Sequence, residues 1–249
     1  MRLQVISAFL FFVIITSSAL LFSQTPGNQK IVQLEVYSYD NPSLLKKISY
    51  KNIFTSIDQR KKELKNILLN SYDNAYLTAT YDSLIEDSSL LKAYIHFGAQ
   101  YSWAHLKNGN IDEGILSELG FREKLYNDQP LYYKNVKRIQ EKLITYYENN
   151  GYPFANVRLD SIIISDNHIS ARLWLTKHSE EKIDSVLVKG TAKITNVYIY
   201  NYLGIKPGSL YNESQLKKVN TRIAELPFIR AVKPANVIFN TKYNKLVLY

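Results

Sequence analysis

The 249-residue chain carries 31 Lys and Arg against 22 Asp and Glu, a formal net charge of +9, with 20 tyrosines and no cysteine. Without thiols there are no disulfides, no thiolate metal sites and no lipid anchor on an N-terminal cysteine, so stability has to come from packing. The cations are scattered, with small clusters at Arg60-Lys61-Lys62 and Lys217-Lys218 and no long run, which argues against a nucleic-acid groove and leaves open an anionic membrane surface, an acidic partner or a solvated surface.

Arg2, the apolar residues 8–15, the small residues 16–19 and Leu20-Leu21-Phe22-Ser23-Gln24 form the pattern of an export signal over residues 1–23, cut after Ser23. No later stretch reaches the ~18 apolar residues of a spanning helix. Residues 24–43 read as an extended N-terminal segment. The remaining length suits two or three small domains. A helix over residues 57–69 and a hairpin over 76–84 and 90–97 mark a degenerate first module, residues 44–98.

The second module, residues 99–179, opens with a strand over 101–106 and a helix over 111–119 that Gly120 ends. Tyr132, Val136, Ile139, Leu143 and Tyr146 or Tyr147 then step along one face of a longer helix. Asp128 is placed to cap it, Pro130 fits its first turn and Gly151 stops it. Residues 154–164 are rich in strand formers and Asp166-Asn167 turns the chain. Ile169, Ala171, Leu173 and Leu175 then alternate with Ser170, Arg172, Trp174 and Thr176, the signature of a hairpin with one face on a core.

The third module, residues 180–249, follows the same order. A strand over 183–188 turns at Lys189-Gly190 into a helix over 194–203 that Gly204 ends. After Pro207-Gly208, Asn212 caps a second helix with Gln215 three residues on, and Leu216, Val219, Ile223 and Leu226 form its buried stripe. Pro227 stops it. Residues 228–239 and 244–249 supply two strands, the last cut short. A sequence echo supports the repetition: Asp82-Ser83 recurs as Asp160-Ser161, 78 positions on.

Catalytic groupings are not evident. His96, His105, His168 and His178 lack metal-ligand spacing and acidic companions. Glu180-Glu181, and Asp160 with Asp184, could supply paired carboxylates for glycosidase chemistry, but they fall at strand ends and connectors, where capping and solubility account for them. Asn212-Glu213-Ser214 matches a glycan acceptor, but its position at a helix start favours the cap. No enzyme activity, metal or cofactor is expected.

Gly190, Leu203-Gly204-Ile205-Lys206-Pro207-Gly208, and Phe228 with Val232, together with Tyr147-Glu148-Asn149-Asn150-Gly151-Tyr152-Pro153-Phe154-Ala155-Asn156-Val157, resemble the signatures of the POTRA domain. The resemblance covers the chain from about residue 101 and is weak over 44–97. It implies an α+β fold of tandem β-α-α-β-β modules, each a three-stranded mixed sheet covered by two helices. It further implies the periplasmic arm of an outer-membrane barrel of the Omp85 superfamily, in which tandem POTRA domains precede a C-terminal β-barrel. No barrel is present in this sequence, so the chain reads as the arm alone.

The implied partners are unfolded outer-membrane protein clients, accessory periplasmic proteins or lipoproteins, and the outer membrane through a barrel. The family's exposed edge is the second strand of each unit, here residues 154–159 and 228–233, each flanked by a proline (Pro153, Pro234). The expected partner-binding residues are therefore Phe154, Ala155, Asn156 and Val157, then Phe228, Ile229, Arg230 and Ala231, with Trp174 on an outward strand face. An extended client would add a strand there. Three alternatives stay open: the arm of a two-partner secretion transporter, a free-standing periplasmic binding or chaperone protein, and a secreted hydrolase using Asp160 or Glu181.

Overall fold

The computed structural model describes residues 31–240 and 243–249, so the expected export signal lies outside the described residues. Alternation builds the first sheet. In β1 (Val32–Tyr37) Val32, Leu34 and Val36 are buried while Gln33, Glu35 and Tyr37 are exposed, the period-two pattern of a half-buried strand. A short α1 (Pro42–Leu45) leads to β2 (Ile53–Phe54), which pairs antiparallel with β1. Ser56 caps α2 (Ile57–Asp73), its hydroxyl accepting from Gln59 N at 3.3 Å. The hairpin of β3 (Thr80–Asp87) and β4 (Leu90–His96) follows, with β4 parallel to β1.

The first sheet therefore has the order β2-β1-β4-β3. It holds four strands where three were expected, and it takes in Val32–Tyr37, which the sequence reading left outside the module as an extended segment. Its core runs from Val32 to Phe97 and includes Leu34, Ile67 and Ala93. Arg60 is buried at its edge, paired with Glu86 and donating to Ser89 O at 3.4 Å.

The second module consists of β5 (Ser102–Lys107), α3 (Glu113–Glu118), a 3-10 turn (Glu123–Leu125), α4 (Tyr133–Asn149), β6 (Asn156–Ser165) and β7 (His168–Thr176). β7 lies in the middle, parallel to β5 and antiparallel to β6. Val136, Ile139, Leu143 and Tyr147 on α4 are buried against the sheet, with Trp103 and Leu173 opposite. Asp128 does not cap α4. Its φ is +56° and its N–H donates to Trp103 O at 2.7 Å, because residues 128–131 run along β5 as backbone cover before the helix begins. The N-cap of α4 is Tyr132, which makes no side-chain cap bond.

The third module holds β8 (Lys182–Ile183), β9 (Ser185–Val188), α5 (Asn196–Leu203), β10 (Ser209–Leu210), α6 (Glu213–Ala224), β11 (Asn236–Ile238) and β12 (Lys245–Leu248). Its main sheet has the order β11-β12-β9, and β8 pairs separately with β10. Asn212 caps α6, its Oδ1 accepting from Gln215 N at 2.9 Å, and Val219, Ile223 and Leu226 are buried.

The expected long strand over residues 228–239 is reduced to Asn236–Ile238. Pro227 and Pro234 bracket a stretch that folds as turns, Ile229 N donating to Leu226 O at 3.2 Å, and a proline has no N–H to give a ladder. The three modules thus form an α+β chain of mixed sheets with helices, each over its own core.

Candidate functional site

The second sheet has two edges, and they differ. Along β5, Trp103 N donates to Gln129 O at 2.9 Å and Leu131 N to Tyr101 O at 2.9 Å, so residues 128–131 fill that side. β6 has no such neighbour. Beyond its ladder to β7, its backbone receives one hydrogen bond among the described residues, from Gln140 Nε2 to Val157 O at 3.1 Å. A ten-residue strand with one side unpaired offers N–H and C=O groups to an incoming chain.

Both long hairpins carry an irregularity where the Asp-Ser echo falls. The β3–β4 register shifts between Tyr81 and Ser83, and the β6–β7 register shifts between Asp160 and Ile163, one extra residue on the edge strand in each case. Ser161 adopts φ +51° there. At and beyond the shift the edge strands expose aliphatic side chains in matching places, Leu84 and Ile85 on β3 and Ile162, Ile163 and Ile164 on β6, with Ile163 65% exposed. Sequence reasoning placed no site residue on these aliphatics, although a run of three isoleucines at a hairpin end was visible.

The expected partner-binding residues scatter. Asn156 begins β6 and is exposed, while Val157 points into the core. Phe154 and Ala155 precede the strand in a turn. Ala155 packs against the core of its own module, and Phe154 packs on Phe239 of the third module with ring centroids 4.9 Å apart. Phe228, Ile229, Arg230 and Ala231 lie in the irregular turn after α6 and not in a strand: Phe228 is exposed, Ile229 is half-buried against the third core, and Arg230 and Ala231 face solvent.

Trp174 sits half-buried on the outward face of β7, with the Arg172 guanidinium 5.4 Å from its ring centroid. Beside it Asp160 pairs with Arg172 at 3.0 Å and Arg158 at 3.5 Å. The Ser161 hydroxyl and then Arg172 hold the Asp160 carboxyl below the usual carboxylate range. Glu181 and Asp184 are instead bound to Asn244, Glu181 accepting from its Nδ2 and Asp184 from its N, both at 2.6 Å. Glu181 and Asp184 line one shallow pocket with Glu180, where their bonds to Asn244 are structural, and Asp160 lies outside it. Among the described residues no cluster of His, Cys, Asp and Glu is placed to hold a metal ion.

A second copy of the middle-module signature went unrecognised. Ala75-Tyr76-Leu77-Thr78-Ala79 occupies the place of Gly151-Tyr152-Pro153-Phe154-Ala155, immediately after the second helix of its module. Ala75 has φ +71° where Gly151 has φ +93°, so a left-handed position is filled by alanine in one copy and glycine in the other. The signal available was the Tyr-x-x-Ala spacing, once the glycine is not demanded.

A family model described as POTRA, surface antigen variable number repeat, matches residues 181–248. The solved structure of POTRA domains 3–5 of BamA from Haemophilus influenzae superposes with a TM-score of 0.56 at 14% identity, covering 88% of this chain and 94% of that one. BamA from Haemophilus ducreyi lacking POTRA domains 1–3 gives 0.46 at 11% identity, covering 59% of this chain and 29% of that one. POTRA domains 1–3 of the periplasmic domain of Omp85 from Anabaena give 0.35 at 12% identity over 87% of this chain and 93% of that one. No curated protein matches the chain in sequence. Residues 181–248 thus match the POTRA family, and the chain as a whole has the fold of a tandem POTRA array.

Proposed function

We propose that the chain is exported and serves at the periplasmic face of the outer membrane as a docking arm for outer-membrane protein assembly, holding extended segments of client proteins by strand addition to β6. One observation carries this reading: β6 is the unfilled edge of the central sheet, while β5 on the opposite edge is covered by residues 128–131. Main-chain pairing tolerates many sequences, which suits a receptor of varied clients. The third module's match to the POTRA family and the array's likeness to BamA domains support the assembly role.

The test is titration with an extended peptide of alternating apolar and polar residues, read by amide chemical shifts. Shifts grouped on Asn156 to Asp160, abolished when the peptide's alternate amides are N-methylated, are the expected result. Equal binding of the N-methylated peptide, or shifts confined to other elements, would refute strand addition at β6.

A further inference from the structure

The third module contains a groove that strand addition at β6 does not use. One wall is the loop after β9, with Lys189, Thr191 and Ile194, and the other is the turn after α6, from Phe228 to Val232. Ile199, Ile223 and Leu248 form the floor, and the cavity volume is about 410 Å3. That size falls among ligand-binding clefts, which run from about 300 to 1,000 Å3.

Its charged side chains are of one sign. Lys189 and Arg230 line the groove, and no Asp or Glu does. The Lys189 and Lys233 ammonium groups lie 5.6 and 3.7 Å from the Tyr249 ring centroid, on the same side of the module. The Arg230 guanidinium makes no ion pair or hydrogen bond among the described residues. Phe228 and Val232, 64% and 88% exposed, stand beside the opening. The apolar floor selects a large apolar side chain, and the Lys189 and Arg230 cations at the rim select carboxylates around it.

We infer that this groove is a docking site for an acidic segment of a partner polypeptide that inserts one large apolar side chain. A concave site favours a protruding side chain over a bilayer surface, because a flat membrane would press on Phe228 and Val232 and leave the groove between them unfilled. The site stands apart from strand addition at β6, since it takes a side chain and needs no backbone ladder.

The purified chain is titrated, by fluorescence anisotropy, with a labelled peptide of one Phe flanked by Asp and Glu. Parallel titrations use the same peptide with Phe replaced by Ala, with its acids replaced by Lys, and with its backbone N-methylated, and vesicles of phosphatidylglycerol are the last arm. The acidic Phe peptide is expected to bind, N-methylated or not, and to shift the amides of Gly190, Thr191 and Val232. Arg230→Glu should weaken it at least tenfold. Because Arg230 is exposed and unpaired, the variant's thermal unfolding should match the parent's. Equal binding of the Ala peptide or the Lys peptide, binding to vesicles but to no peptide, or an unchanged affinity in Arg230→Glu would each overturn the assignment. Loss of binding on N-methylation would move the contact to a sheet edge, and would also overturn it.

Discussion

The junction between the first and second modules and the junction between the second and third share one device and differ in everything added to it. In each, the residue after the C-cap of the second helix has positive φ, and its carbonyl accepts from the next module: Ala75 O from Tyr101 N, and Gly151 O from Glu181 N, both at 2.7 Å. The first junction adds Gln100 Nε2 donating to Asn74 O at 3.1 Å. The second adds Gly151 N to Tyr211 O at 3.0 Å, with Tyr211 N held within the third module by Glu181 O at 2.9 Å. Asn149 is also gripped there, its O accepting from Asn212 Nδ2 and its Oδ1 from Ser214 N, both at 2.9 Å. Phe239 then packs on both Phe154 and Tyr211. Coupling between repeats thus rests on a few polar groups at a helix end, and more of them join the second module to the third than the first to the second.

The most damaging way to test this is Gly151→Ala. Its φ is +93°, and an added Cβ would lie 3.1 Å from both Glu180 Cγ and Leu210 Cδ2. A loss of about 1–3 kcal/mol is expected, with the shared denaturation transition of the second and third modules separating into two. A single unbroken transition would mean that the junction does not couple them. Asn212→Ala comes next. It removes the α6 cap and the bond to Asn149 together, and urea unfolding should show a loss of about 1–2 kcal/mol confined to the second and third modules.

Ala75→Gly has the opposite sign and a smaller size. Ala75 holds φ +71°, a strained conformation for a residue with a Cβ, so glycine should stabilise the first module by about 0.5–1 kcal/mol after its own entropy cost. Destabilisation in the same assay would show that the buried Ala75 methyl group contributes more than the strain costs.

Acid should act on the two regions in opposite directions. Burial alone would raise the Asp40 carboxyl, but hydrogen bonds from Ser38, Gly98 N and Phe97 N, with nearby His96, outweigh it and hold it below its ordinary 3.8. The unfolded chain then binds the proton more readily, so this contribution is present above 3.8 and is lost as the pH falls through the lower, folded value. Glu148, beside the second junction, is raised above its ordinary 4.5 by burial and by Glu213, with Lys217 opposing. There the folded state holds the proton more tightly, so stability rises as the pH falls from the raised value toward 4.5. Amide exchange between pH 6 and pH 3, compared with Asp40→Asn and Glu148→Gln, checks both signs; these are the smallest effects expected.

Much of this fold was legible because period and breakers agreed. The stripe from Val136 to Tyr147, the alternation from Ile169 to Leu175 and the Asn212 cap all appear where the side-chain chemistry places them. What escaped depended on distant partners. The alternation of Val32 to Tyr37 was plain, but nothing local said that β1 would lie parallel to β4, some 57 residues on at each pairing such as Val36 with Ala93. Asp128 had the right chemistry for a cap and was drawn instead onto β5. Residues 228–233 had strand-forming side chains, yet prolines at both ends kept their backbone out of a ladder. Of the expected site, Asn156 and Val157 fall on a true edge strand, whereas Phe154 was absorbed by the contact with Phe239, which no local pattern announces.

The extra residue on β3 and β6 also acts as a ruler. A guest strand pairing with β6 from its start meets regular backbone only over the five residues from Asn156 to Asp160 before the ladder is broken, a length of about 17 Å at about 3.4 Å per residue. Past that point the ladder resumes with its register shifted by one residue, and the strand exposes Ile163 and Ile164. The arm would therefore measure out short stretches of whatever it holds, too short to be retained as a finished sheet and long enough to keep a strand extended until it is passed on.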